Sequence, residues 1–119
     1  MTIYKPPGVE LEPECRMRDW SIQRISTSGS KGFTDHVVGY NTTAQEGRVS
    51  SPIQSFNPKD MVVTTSSGRS YLLVGDPGYS ADGHWVFHQW KYLGQVTDDM
   101  VEDVTEEYKK QEDAGQEVP

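Results

Sequence analysis

Turn-forming residues break this chain at short intervals, and that punctuation limits what it can fold into. Ser28-Gly29-Ser30-Lys31-Gly32, Phe56-Asn57-Pro58-Lys59-Asp60, Ser66-Ser67-Gly68-Arg69 and Gly75-Asp76-Pro77-Gly78 each halt a short apolar run. Such runs suit strands rather than long helices, because glycine and proline fix turns and interrupt regular structure. With 11 glycines and 7 prolines in 119 residues, the expectation is one small β-rich domain.

Between the breaks, strands are expected over 19–27, 35–40, around Arg48–Phe56, over 61–65 and over 70–74. Val and Thr are concentrated in Met61–Thr65, and Ser66–Arg69 reads as the turn of a hairpin with Gly68 taking a positive φ. Pro52 has no N–H to offer a ladder, which places its strand at an edge or beside a bulge. The alternation in His84–Leu93 reads as a further, aromatic strand. It would turn Trp85 and Phe87 to one side, as core residues, and Val86, His88 and Trp90 to the other. Trp20 is also assigned to the core.

A helix is expected over 98–111, capped by Thr97, with Asp98 and Asp99 in its first turn. Met100, Val101, Val104 and Tyr108 form its apolar stripe at three- and four-residue spacing. The predicted fold is α+β and mainly β: a small twisted antiparallel sheet, or partly open barrel, of five to six strands with this one C-terminal helix. Residues 1–13 read as an extended arm, 14–111 as the single domain and 112–119 as an acidic flexible tail. The resemblance of Ser26-Thr27-Ser28-Gly29 and Lys31 to Thr65-Ser66-Ser67-Gly68 and Arg69 is attributed to turn chemistry.

The formal net charge is −7, and it is unevenly placed. Acidic and basic residues balance over 1–97, while 98–119 hold nine acidic residues against Lys109 and Lys110. A duplex nucleic-acid binder needs a cationic face that this chain lacks. The single Cys15 forms no internal disulfide framework, and the first twenty residues lack the apolar run of a secretory signal. A cytoplasmic location without membrane association is the expectation.

Most chemistry is unsupported by spacing. Ser30-Lys31-Gly32 and Ser67-Gly68-Arg69 lie between expected strands, not between a strand and a helix as a nucleotide-hydrolase loop requires. On a strand, His84 and His88 would stand about 13 Å apart, too far to share a metal ion. No nucleophile–base pair stands out, and Asp76 and Asp82 have no spacing that makes them an acid–base pair. Neither a cofactor nor a metal is expected, and the reading leans away from an enzyme.

The favoured function is a non-catalytic protein–protein interaction module, an inhibitor or adaptor that blocks a macromolecular partner with a basic surface. Trp90, Tyr92, Glu106, Glu107, Glu112 and Asp113 would contact that partner. The chain is expected to form a homodimer or other homo-oligomer, which would protect sheet edges. The alternative is an oligomeric binding protein for a small phosphorylated or nucleotide ligand, using Arg48, Ser66, Ser67, Arg69 and Tyr71.

Overall fold

The computed structural model describes residues 13–26 and 32–116, with side chains described to residue 112. The expected arm over 1–13 lies outside these residues apart from Pro13, as do residue 27 of the first expected strand, residues 28–31 of the expected turn that follows it and residues 117–119 of the tail.

Among the described residues, seven strands form one open, mixed sheet: β1 Glu14–Ser26, β2 Phe33–Asn41, β3 Glu46–Val49, β4 Ile53–Asn57, β5 Val62–Thr65, β6 Ser70–Leu73 and β7 Val101–Asp103. Their order is β3-β2-β1-β6-β5-β4, with β7 also on β1. The expected arrangement was antiparallel with five to six strands, and two features change it. β6 pairs parallel to the first half of β1, from Glu14 opposite Ser70 to Met17 opposite Leu73. β7 pairs antiparallel to the second half, from Gln23 opposite Asp103 to Ile25 opposite Val101. One long strand therefore serves two neighbours along one edge, which a sequence without pairing information does not reveal. The expected strand around Arg48–Phe56 is two strands, β3 and β4, at opposite edges, with Pro52 in the connection.

A bulge makes the long β1 usable. Asp19 takes φ 48, and the register shifts between Arg18 and Ser21. One extra residue reverses the alternation of facing side chains. Cys15 and Met17 before the bulge thus share a core with Trp20 and Ile22 after it. Val37, Val63, Tyr71 and Leu73 complete that core with Val104 and Tyr108. Ile25, Val38, Val49, Val86 and Phe87 form a second cluster. Val37 and Val38 are consecutive on β2, so the two clusters lie on opposite faces of the sheet.

Each face carries one helix. α1, Ala81–Leu93, replaces the aromatic strand expected at 84–93. Its buried Gly83, Val86 and Phe87, with part-buried Trp90, recur at helical spacing. The alternation that suggested a strand is a local coincidence of aromatic residues. α2, Thr105–Gln116, begins later than the helix expected over 98–111 and runs past its end. Residues 98–100 form a single 3-10 turn, Thr97 makes no side-chain cap, and Val101–Asp103 are strand β7. The Asp103 carboxylate instead accepts the Thr105 N–H at 2.9 Å. Val104 and Tyr108 are buried together, whereas Val101 packs against the opposite core. The predicted single helical stripe is therefore divided between two faces.

A buried polar group ties α2 to the sheet. Arg24 Nε donates to Asp35 Oδ1 at 2.8 Å and Arg24 Nη2 to Asp35 Oδ2 at 3.1 Å, while Nη2 also reaches Glu107 at 2.9 Å. The Tyr108 hydroxyl donates to Asp35 Oδ2 at 2.7 Å. Burial, and then the bond to Asp35, pushes the Tyr108 phenol well above its usual range, so it stays a donor. The hairpin between β5 and β6 forms as expected, with Gly68 at φ 89 and its N–H bonded to the Thr65 carbonyl at 2.9 Å.

Candidate protein-contact site

The most exposed large apolar side chains gather on and beside α1. Ser80 starts the helix: its backbone is extended and its hydroxyl accepts the Gly83 N–H at 3.0 Å. Asp82 in the first turn and Lys91 in the last suit the helix dipole, and the Gly94 N–H closes the end on the Trp90 carbonyl. With Gly83, Val86, Phe87 and Trp90 turned to the sheet, helical geometry turns Trp85, His88 and Tyr92 outward. Trp85 is 64% exposed and Tyr92 74%. Tyr79, 70% exposed, stacks on His84 just before the helix, with ring centroids 4.6 Å apart.

Close backbone packing seats this helix. A Cβ on Gly83 would lie 2.6 Å from the Gly39 carbonyl oxygen, and one on Gly47 would lie 2.7 Å from the Gly83 nitrogen. The first turn of α1 therefore rests directly on the backbone of β2 and β3. Two grooves flank it. One, of about 310 Å³, is lined by Gln45, Glu46, Gly47, Asp82, Trp85 and Val86. The other, of about 270 Å³, is lined by Arg18, Asp19, Tyr40, Tyr79, Ser80, Ala81 and Asp82.

The sequence-predicted contact residues are scattered. Tyr92 is on the outward side of α1, but Trp90 turns inward, its ring 4.9 Å from His36 and 5.8 Å from Phe87. Glu106, Glu107 and Glu112 are on α2, across the sheet from α1. Glu106 is exposed, Glu107 holds Arg24, and Glu112 pairs with Lys109. The side chain of Asp113 lies outside the described residues. Phe87 is buried as expected, while Trp85, expected in the core, is exposed because its segment is helical. Trp20 is fully buried, with its indole N–H donated to the Gly75 carbonyl at 3.1 Å.

The residues assigned to the alternative ligand are mostly interior. Arg48, Arg69 and Tyr71 are 0%, 4% and 1% exposed, while Ser66 and Ser67 are exposed at the hairpin tip. Arg48 Nη2 donates to Glu46 at 3.2 Å and Nη1 to Cys15 Sγ at 3.3 Å. His84 and His88 are one helical turn apart rather than 13 Å, because the segment is α1. Among the described residues, no group of three or more His, Cys, Asp or Glu side chains is placed to hold a metal ion. No helix among them is long and apolar enough to cross a membrane.

His36 is buried against Trp90 and Ser50. Its Nδ1–H donates to the Ser50 carbonyl at 2.7 Å, so Nε2 accepts from the Thr34 hydroxyl at 2.8 Å. Burial lowers its pKa from the usual histidine range, and burial followed by the nearby Lys91 charge lowers that of His84.

Trp85 and Tyr79, exposed like Tyr92, and Asp82 and Glu46, which line a flanking groove, are absent from the residues expected at a contact face. The available signal was the spacing of Gly83, Val86, Phe87 and Trp90, preceded by Ser80 and followed by Gly94. Compared with known proteins, the chain matches no family model, no curated protein and no solved structure.

Proposed function

We infer that this chain is a non-catalytic protein–protein interaction module, an inhibitor or adaptor that blocks a partner with a basic surface. The outward side of α1 is its contact face. The carrying observation is the exposure of Trp85 and Tyr92 two helical turns apart on a helix seated firmly on the sheet. Rigid aromatic side chains on regular structure contribute large contact area with little ordering entropy, and they dominate measured interface energies. The net charge of −7 favours a basic partner over an acidic one.

Native mass spectrometry of the chain purified gently from its own host tests this reading. A basic protein retained at fixed stoichiometry, and lost from the Trp85→Ala/Tyr92→Ala double variant, is the expected result. A bare monomer, or a retained small molecule in place of a protein, refutes it.

A further inference from the structure

The rings that join α1 to the sheet form a continuous row, and two of its five members are histidines. It runs from Tyr79 through His84, Phe87 and Trp90 to His36, with successive centroids 4.6, 6.1, 5.8 and 4.9 Å apart. Phe87 and Trp90 belong to the same apolar cluster as Val38 and Val49, so the row is part of the seam between α1 and strands β2 and β3. Lys91 already sets an ammonium over Phe87, 4.8 Å from its centroid, and pairs with Asp98 at 3.2 Å. A proton on either histidine adds a second cation to this seam. His36 is 3% exposed, and its ring nitrogens meet neutral partners, the Ser50 carbonyl and the Thr34 hydroxyl. Across the ladder it faces Gln23. The neighbouring Asp35, which attracts a charge at His36, is held by Arg24 and Tyr108 on the other side of the sheet. His84 stands at the start of α1, where the helix dipole opposes a cation. Lys91 repels a charge there, whereas Asp103 attracts one and Asp82 lies in the first turn. The chain's third histidine, His88, is exposed on the outward side of α1, so the α2 side of the sheet holds none.

We propose that α1 is an acid-released helix: protons taken up by His36 and His84 lift it from β2 and β3 while the α2 side of the sheet stays closed. Burial lowers the pKa of His36 from the ordinary 6.5, and burial followed by the Lys91 charge lowers that of His84. The opened helix therefore binds protons more tightly than the closed one. Release is minimal above pH 6.5 and grows as pH falls below it. The core beneath α2 is held differently. Arg24 and Tyr108 keep their protons across this range, and Met17, Trp20, Ile22 and Val37 carry no titratable group. The two cores lie on opposite faces, so opening one leaves the contacts of the other in place. Release needs only the chain itself, and it occurs whether or not the outward side of α1 meets a partner.

Urea unfolding of the full chain at pH 7.5 and 5.5, followed by NMR of the tryptophan indole N–H signals, tests this. Trp90 reports on α1, and Trp20, bonded to Gly75, reports on the opposite core. At pH 7.5 the two folded signals should fade over one range of urea. At pH 5.5 Trp90 should fade first and Trp20 should persist to higher urea. The ratio of opened to closed α1 at a given urea concentration should rise by more than about threefold. Its ceiling is about tenfold for each histidine, one pH unit below an ordinary pKa. His36→Gln/His84→Gln should abolish the separation, since a carboxamide at position 36 can donate to Ser50 and accept from Thr34 without taking up a proton. His88→Gln should leave the separation intact, and its loss there would overturn the assignment to His36 and His84. If the double variant does not fold, His84→Gln alone decides: it should narrow the separation, and an unchanged one refutes the proposal. Coincident signals at pH 5.5, an equal separation at both pH values, or a separation that survives the double variant would each overturn it.

Discussion

Replacing Gly83 with alanine sets two physical effects against each other. Helix propensity alone favours alanine by about 1 kcal/mol. The packing of α1 opposes it, because the new Cβ would lie 2.6 Å from the Gly39 oxygen and 2.9 Å from the Gly39 Cα and carbonyl carbon. All three are backbone atoms of a central region of the sheet, so none can swing aside. Ordinary contact begins near 3.4 Å, and α1 must retreat by about 0.8 Å. A gap of that size forfeits about a quarter to a half of each dispersion contact it opens, including those of buried Val86 and Phe87. Overpacking of this kind costs about 2–3 kcal/mol. The net expectation is a destabilisation of about 1–2 kcal/mol. In a chain of this length that lowers Tm by about 4–8 °C. Thermal unfolding followed by circular dichroism measures it, with Gly94→Ala as comparison. At Gly94 the nearest atom would be 3.4 Å away, and the expected change is within about 0.5 kcal/mol. A Gly83→Ala protein that melts at or above the parent temperature would refute the backbone-contact argument.

Other expectations follow from the two cores. Tyr108→Phe removes the donor to Asp35 but leaves Arg24 in place, and urea unfolding should show a loss of about 1–2 kcal/mol; an unchanged midpoint would mean that this bond adds nothing. His36 and His84 both have folded pKa values below the ordinary 6.5. The unfolded chain therefore takes up protons first, so their contribution is complete above pH 6.5 and declines as pH falls toward the folded values. Denaturant midpoints from pH 7.5 to 5 should fall, and His36→Gln should flatten the decline; parallel profiles would contradict the assignment. Trp85→Ala and Tyr92→Ala each remove an exposed ring and should change stability by less than about 0.5 kcal/mol, as checked by chemical denaturation. A larger loss would show that the rings support the fold.

Local chemistry was legible where it required no distant partner. The β5–β6 hairpin follows from Val- and Thr-rich runs around Ser66–Arg69, and Val104 and Tyr108 share a core as their spacing implied. Pairing between β1 and β6 was not legible, because Cys15 and Tyr71 meet only through tertiary structure. Residues 98–103 were misread since Asp98, Asp99, Met100 and Val101 satisfy a helical pattern until Ile25 offers a strand partner to Val101. At 84–93 the reverse occurred, as alternating aromatic residues hid the helical spacing of Gly83, Val86, Phe87 and Trp90. That error displaced the site as well: it put Trp85 inside and left Tyr92 as the one predicted contact residue on the outward side of α1.

Because Val37 and Val38 point into different cores, the sheet works as a partition. Changes on its two sides share few neighbours, and such changes combine nearly additively. The outward residues of α1 can therefore change without drawing on the stability held beneath α2. Variation of the exposed surface of α1 and variation in robustness become separable properties of one short chain. That freedom ends at Gly39, Gly47 and Gly83, where α1 and the partition meet backbone to backbone.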